Sequence, residues 1–275
     1  MQTTSGIVPV GTARIAAEWI GDGQTIVFLH AAVADRRMWR HQLAALASRY
    51  HVIAYDRRGF GETSAVDEAY SQTADLFAVI DHLVEPSKPV VLVGCSQGGS
   101  IAIDAALASP DRVAGLVLIS PSVSGAPSAT PHEAVRHLLD AIELAGKSGD
   151  LDQVNRLKAA LWLDGPLSEQ GRVQGPAREL FLAMNGIALA APRIGRVLQP
   201  APAWDRLDQV AAPVHILCGD LDVPHIQARC RQLALILPDA RLEIIPGAAH
   251  LPSLEQPNLF TARLLDLLPK RAKCA

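Results

Sequence analysis

Short strings of unbroken apolar residues alternate with stretches whose apolar residues recur every three or four positions, and this alternation leaves the chain very few architectures. The strings lie at residues 25–29, 51–55, 89–93 and 113–119 and are rich in Val, Ile and Leu. A strand buried on both faces has no polar side to show, so such strings suit the central strands of a parallel sheet. Between them, residues 38–48, 73–84 and 98–108 carry the spacing of amphipathic helices. Parallel strands joined through helices wind into a sheet with helices on both faces and right-handed crossovers. Ahead of them, residues 13–20 followed by Gly21-Asp22-Gly23 read as a strand entering a hairpin turn.

The rhythm stops at residue 121 and resumes after Trp204, with strands expected at 214–218 and 241–245 and helices at 224–237 and 257–268. The interval reads as helices broken by Pro and Gly. Within it, Thr130-Pro131-His132-Glu133 places Thr at an N-cap, Pro at the first helical position and Glu at the third. A helical insertion in a parallel sheet is expected over the sheet's carboxyl edge, where open α/β sheets bind ligands.

With 275 residues, 49% of them hydrophobic and 19% charged, the chain can bury a large core. A formal net charge of -3 gives no footprint for nucleic acid or an anionic membrane, so a small molecule is the expected partner. Cys95, Cys218, Cys230 and Cys274 form no CxxC pair, and His30, His41, His51, His82 and His215 form no spaced cluster. Neither a disulfide framework nor a metal site is expected. Residues 1–10 do not read as a signal peptide, and no stretch approaches the roughly 18 unbroken apolar residues of a membrane span. The cytoplasm is the expected compartment.

The chemistry centres on Val90-Val91-Leu92-Val93-Gly94-Cys95-Ser96-Gln97-Gly98-Gly99. This is G-x-S-x-G between a buried strand and a helix, the context of a nucleophile elbow. The turn is strained and needs small neighbours, and the helix after it aims its first amides towards the serine oxygen. Cys95 is expected to pack as an apolar filler. A serine nucleophile needs a base, and the base an acid that fixes its tautomer, in the chain order Ser, acid, His. His250 follows the last expected strand in a Gly-rich loop, whereas His225 stands too close to the acid loop to be an independent base. Asp220 and Asp222 both follow the strand at 214–218, and both remain candidates for the acid.

These segments together resemble the α/β-hydrolase superfamily, in particular cap-bearing esterases and enol-lactonases, from about Arg14 to Leu268. Leu29-His30-Ala31-Ala32 resembles the family's His-Gly loop, and Tyr55-Asp56-Arg57-Arg58-Gly59-Phe60-Gly61 its D-x-R-G-x-G turn. Cys218-Gly219-Asp220-Leu221-Asp222 resembles the G-x-x-D acid loop, and Gly247-Ala248-Ala249-His250 the G-x-x-H loop. The resemblance implies an α/β fold: a doubly wound, mostly parallel sheet with a helical cap inserted after the sixth strand. Residues 1–121 and 205–275 would form the core and 122–204 the cap. It also implies Ser96 as nucleophile, His250 as base and Asp222 as acid, the register selecting Asp222 over Asp220. The oxyanion hole would use the backbone N–H groups of Gln97 and Ala32. Ala31 stands where relatives carry Gly, and a positive φ there would cost roughly 1 kcal/mol or more.

The expected reaction is hydrolysis of carboxylic esters or lactones through an acyl-enzyme, without cofactor. C–C bond hydrolysis or cofactor-free perhydrolysis could run on the same three residues, and a non-enzymatic binding protein is the reading from outside catalysis. Apolar residues dominate the insertion, which points to small or medium neutral substrates, with Trp162 and Met184 as candidate contacts. Asp56, Arg57 and Arg58 read as a structural ion-pair cluster in their turn.

Overall fold

The computed structural model describes residues 2–85 and 88–269, so Cys274 lies outside the described residues. Its centre is one sheet of eight strands in the order β1-β2-β4-β3-β5-β6-β7-β8. These are β1 (Thr4–Val10), β2 (Ala13–Ile20), β3 (Thr25–Leu29), β4 (His51–Tyr55), β5 (Val90–Cys95), β6 (Val113–Ile119), β7 (Val214–Gly219) and β8 (Ala240–Ile245). From β4 to β8 neighbouring strands run parallel, while β1 and β2 are antiparallel additions at one edge. The alternation along β5 shows why the apolar strings lack polar positions. Val90 and Leu92 enter the core on one face, and Val91, Val93 and Cys95 enter the core on the other.

The hairpin expected at Gly21–Asp22–Gly23 does not form. β2 pairs instead with β1 across Gly11–Thr12 and with β4 on its other side, and β3 lies between β4 and β5. Gly21 adopts φ +84, and a Cβ there would collide with the carbonyls of Ala47 and Tyr50. The turn therefore passes tightly beneath the end of a helix and carries the chain across β4. β1 has no apolar alternation and contains Gly6 and Pro9, which suit an edge strand. At Gly6 the missing side chain makes room for the Trp19 ring.

The helices are α1 (Arg40–Leu46), entered by a 3-10 turn at Arg36–Trp39, then α2 (Gln72–Leu83) and α3 (Gln97–Ala108). Between β6 and β7 come α4 (Glu133–Lys147), α5 (Leu151–Ala159), a π-helical turn at Ala160–Asp164, and α6 (Pro176–Ala190). α7 (Pro224–Ile236), α8 (Pro252–Glu255) and α9 (Pro257–Leu267) complete the chain. α4 begins at Glu133, two residues later than its capping sequence suggests, and the His132 carbonyl accepts from Arg136 N at 3.0 Å. Among the described residues no helix is long and apolar enough to cross a membrane. The inserted helices pack into the main core, with Ala159, Leu163, Phe181 and Met184 in one cluster with Val91, Val93 and Leu217 of the sheet.

Candidate active site

Ser96 follows β5 with φ 53 and ψ -114, a backbone conformation that costs an L-residue about 1–3 kcal/mol. The surroundings over-determine it. Ser96 N donates to Ile119 O at 2.8 Å, extending the β5–β6 ladder by one bond. The Ser96 carbonyl accepts from Gly99 N at 2.9 Å and from Ser122 N at 3.1 Å. A Cβ at Gly94 would collide with Gly98 O, and one at Gly98 with Leu29 O, so elbow, helix and the loop after β3 approach backbone to backbone. The Ser96 side chain makes no capping bond to α3, leaving its hydroxyl at the tip of the turn.

The acid and base candidates meet across two loops. His250 Nδ1 lies 2.9 Å from Asp222 Oδ2 and 3.1 Å from Asp222 Oδ1, and both side chains are buried. Val223 N donates to Asp222 Oδ1 at 2.7 Å. Gly219 lets the loops close, since a Cβ there would strike the carbonyls of Ala248 and Ala249. Asp220 turns elsewhere and accepts from Gly247 N at 2.7 Å, bracing the base loop from outside. The structure thus brings Asp222, not Asp220, to His250. Cys95 is fully buried and its thiol is pushed well up by burial, which suits packing rather than nucleophilic chemistry.

The inserted helices reach His250 directly. Trp162, in the π-helical turn, packs against the His250 ring at 4.6 Å between centroids with the planes tilted by 44°, and its carbonyl accepts from His250 N at 3.3 Å. Trp162 and Ser96 also line one cavity of about 270 Å³, together with Pro121, Pro127, His225 and Ile226. Met184, expected as a substrate contact, is instead fully buried in the core cluster that joins the insertion to the sheet, and it does not line that cavity.

Sequence reasoning missed Glu255. Its buried carboxylate accepts from Ala249 N at 2.7 Å and Leu251 N at 2.9 Å, bracketing His250 on both sides. It is paired with Arg172 from the insertion, which also donates to Gly247 O at 3.0 Å. Burial raises the Glu255 carboxyl above its ordinary range despite these donors. The only signal in the chain is an acid five residues beyond the histidine, at the end of the single-turn α8.

The loop after β3, expected to supply an oxyanion donor, is unstrained. Among the described non-glycine residues positive φ occurs at Ser96 and Ser120, not at Ala31, so alanine carries no left-handed penalty there. His30 is fully buried, and its Nε2 accepts from Arg57 N at 3.1 Å. The proton must then sit on Nδ1, which donates to Ala31 O at 2.8 Å. Ala34 N donates to the same carbonyl at 3.2 Å. In a trans peptide N–H and C=O point oppositely, so holding Ala31 C=O inward turns Ala32 N–H outward. Burial, with the Arg57 charge second, keeps the His30 ring well below the ordinary imidazole value.

The ion-pair cluster expected at Asp56-Arg57-Arg58 is dispersed. Asp56 pairs with Arg36, and its carboxyl is pushed up to about 6 by burial. Arg58 pairs with Asp75 at 2.8 Å and with Glu68 at 2.6 Å. Arg57 turns inward to Gln97 and His30.

Known proteins agree with this architecture. The profile of the alpha/beta hydrolase family matches residues 26–264. A pimeloyl-[acyl-carrier protein] methyl ester esterase from Chromobacterium violaceum is 29% identical over 261 residues, covering 94% of this chain and 100% of that protein. A thermophilic esterase from Thermogutta terrifontis superposes with TM-score 0.74 at 25% identity, covering 97% of each chain. Est816, described as an N-acyl homoserine lactone degrading enzyme, superposes with TM-score 0.71 at 26% identity, covering 95% of this chain and 100% of that one. The matched span takes in the elbow, the acid loop and the base loop, and the chain belongs to the alpha/beta hydrolase family.

Proposed function

We propose that this chain is a serine hydrolase that cleaves carboxylic ester or lactone bonds of small to medium, mainly neutral substrates. The observation that carries the reading is a buried Asp222–His250 pair packed against Trp162, which lines one cavity with Ser96, the serine at the tip of a strained elbow. His250 Nδ1–H is held by Asp222, leaving Nε2 to accept the Ser96 proton as Oγ attacks the carbonyl carbon. The oxygen of that carbonyl takes the negative charge, and Gln97 N–H and Ala32 N–H are its donors. The tetrahedral intermediate collapses, the proton passes from His250 to the leaving alkoxide, and the acyl group stays on Ser96. Water, deprotonated by His250, then attacks the acyl-enzyme, and Ser96 recovers its proton as the acid leaves. A cavity of about 270 Å³ walled by Trp162, Pro121, Pro127 and Ile226 favours short acyl or alkyl groups over long chains.

A panel of p-nitrophenyl esters of increasing acyl length, with simple lactones, tests the reading. Ser96→Ala is expected to lose turnover by several orders of magnitude, and a fluorophosphonate probe to label wild type at Ser96. In the same assays Asp222→Asn should reduce kcat far more than Asp220→Asn, because only the former frees the imidazole tautomer. Labelling at another residue, or full turnover in Ser96→Ala, would sink the assignment.

A further inference from the structure

Arg57 is only 3% exposed, yet among the described residues no carboxylate lies within ion-pair distance of it. Its neighbours in sequence take the nearby acids, Asp56 going to Arg36 and both Asp75 and Glu68 to Arg58. Removing a guanidinium from water without an acid is costly, and burial draws its pKa down to about 10. What it has instead are neutral partners. Nη1 donates to Gln97 Oε1 at 2.7 Å, Nη2 donates to His30 O at 3.1 Å, and the guanidinium lies 4.6 Å from the Phe60 ring centroid. Nη2 is also 3.3 Å from His30 Nδ1, but with Nδ1 protonated that is an approach of two donors, not a bond. Its buried Nε has no hydrogen-bond partner among the described residues. A purely structural arginine would be expected to collect an acid or to satisfy all its donors.

Those two partners belong to the two segments that carry the oxyanion donors, Gln97 at the start of α3 and the His30–Ala32 loop. We propose that Arg57 is the positioning residue of the oxyanion hole, tying its two donor segments together and setting an unneutralised positive charge behind them. The inference rests on the serine-hydrolase reading above. A planar fork can hold two acceptors in fixed relative positions, which a single ammonium cannot. The backbone N–H of the same residue fixes the His30 tautomer, so one position governs the aim of Ala32 N–H from both sides. The missing acid then has a reason. A neutral ester gains little from a cation behind its carbonyl, whereas the oxyanion of the tetrahedral intermediate gains much, and a carboxylate partner would cancel that difference.

The test compares wild type with Arg57→Met, Arg57→Gln and Arg57→Lys on one neutral p-nitrophenyl ester, with an arylboronic acid as tetrahedral mimic. Arg57→Met is expected to lower kcat by about 10–100-fold, below the loss of a direct oxyanion donor, with KM little changed. The boronate inhibition constant should rise by the same factor. The acidic limb of the pH profile should stay in place while the plateau drops. Lys keeps the charge and Gln does not, although either can donate to one partner, so Arg57→Lys should recover more activity than Arg57→Gln. Gln97→Leu cuts the tie at a half-buried position without emptying the core, and should lower kcat several-fold at unchanged melting temperature. Equal losses for Lys and Gln, or a lower melting temperature with kcat intact, would overturn the proposal. So would a defect confined to KM for hemiesters of dicarboxylic acids, which would make Arg57 a substrate anchor. Failure of the underlying reading looks different: wild type itself would escape fluorophosphonate labelling at Ser96.

Discussion

His30 shows how much a single buried side chain can be asked to do. It is neutral in the fold, its two ring nitrogens are committed to Arg57 N–H and Ala31 O, and its pKa lies well below the ordinary 6.5. The unfolded chain therefore binds a proton that the folded chain refuses, once the pH falls below about 6.5. Stability rises with pH through that window and is lost on acidification, by up to about 1.4 kcal/mol per pH unit for one proton. Urea unfolding at pH 7.5, 6.5 and 5.5 should show a shallower pH slope in His30→Asn than in wild type. Equal slopes would mean that His30 is protonated inside the fold. His51, His215 and His225 are lowered by burial as well, so the difference between the two proteins, not the wild-type slope, isolates His30. The sequence places this histidine in its loop, but its tautomer follows from the Arg57 backbone 27 positions away.

Among elements, the inserted helices and the base loop are joined more closely than a lid and a floor need be. Arg172 bonds the Leu163 carbonyl at 2.8 Å within the insertion, Gly247 O in the base loop, and Glu255 beneath it. Arg172→Met would leave the buried Glu255 carboxylate without its cation. Because Arg172 is itself a quarter exposed, the expected cost is at the lower end for a broken buried pair, about 3 kcal/mol. Glu255→Gln should lower kcat as well as stability, since an amide cannot accept from both Ala249 N and Leu251 N while facing Arg172. The double variant should lose less than the sum of the two, measured as a urea-unfolding cycle with kcat followed alongside. Strict additivity would show that the two side chains act separately. The central strands were legible because burial on both faces leaves an unbroken apolar string. β1 was not: its Ser, Gly and Pro read as loop, and only the β2 edge makes a strand of it.

For the molecule as a whole, a shared core makes the insertion and the sheet one folding unit. Met184 on α6 is fully buried in the same cluster as Val91, Val93 and Leu217. Met184→Ala is expected to cost about 2–5 kcal/mol and to shift a single transition, seen alike by far-UV dichroism and tryptophan fluorescence. Two separated transitions would show that the inserted helices unfold on their own. The amino-acid sequence by itself determined the doubly wound sheet, the elbow at Ser96 and the position of His250, because apolar periodicity and the glycine demands of a tight turn are local properties. Residue chemistry alone left Asp220 and Asp222 open, since both stand in one loop and differ only in which way that loop turns, and only the resemblance's G-x-x-D register favoured Asp222. The contact of Gly219 with Ala248 and Ala249 decides it, sending Asp222 to His250 and Asp220 to Gly247. Tertiary structure alone also decided the strand crossing at Gly21, the burial of Met184, the Glu255 bracket and the acid-free setting of Arg57. Each depends on groups far apart in the chain, whose meeting is fixed by how the layers pack.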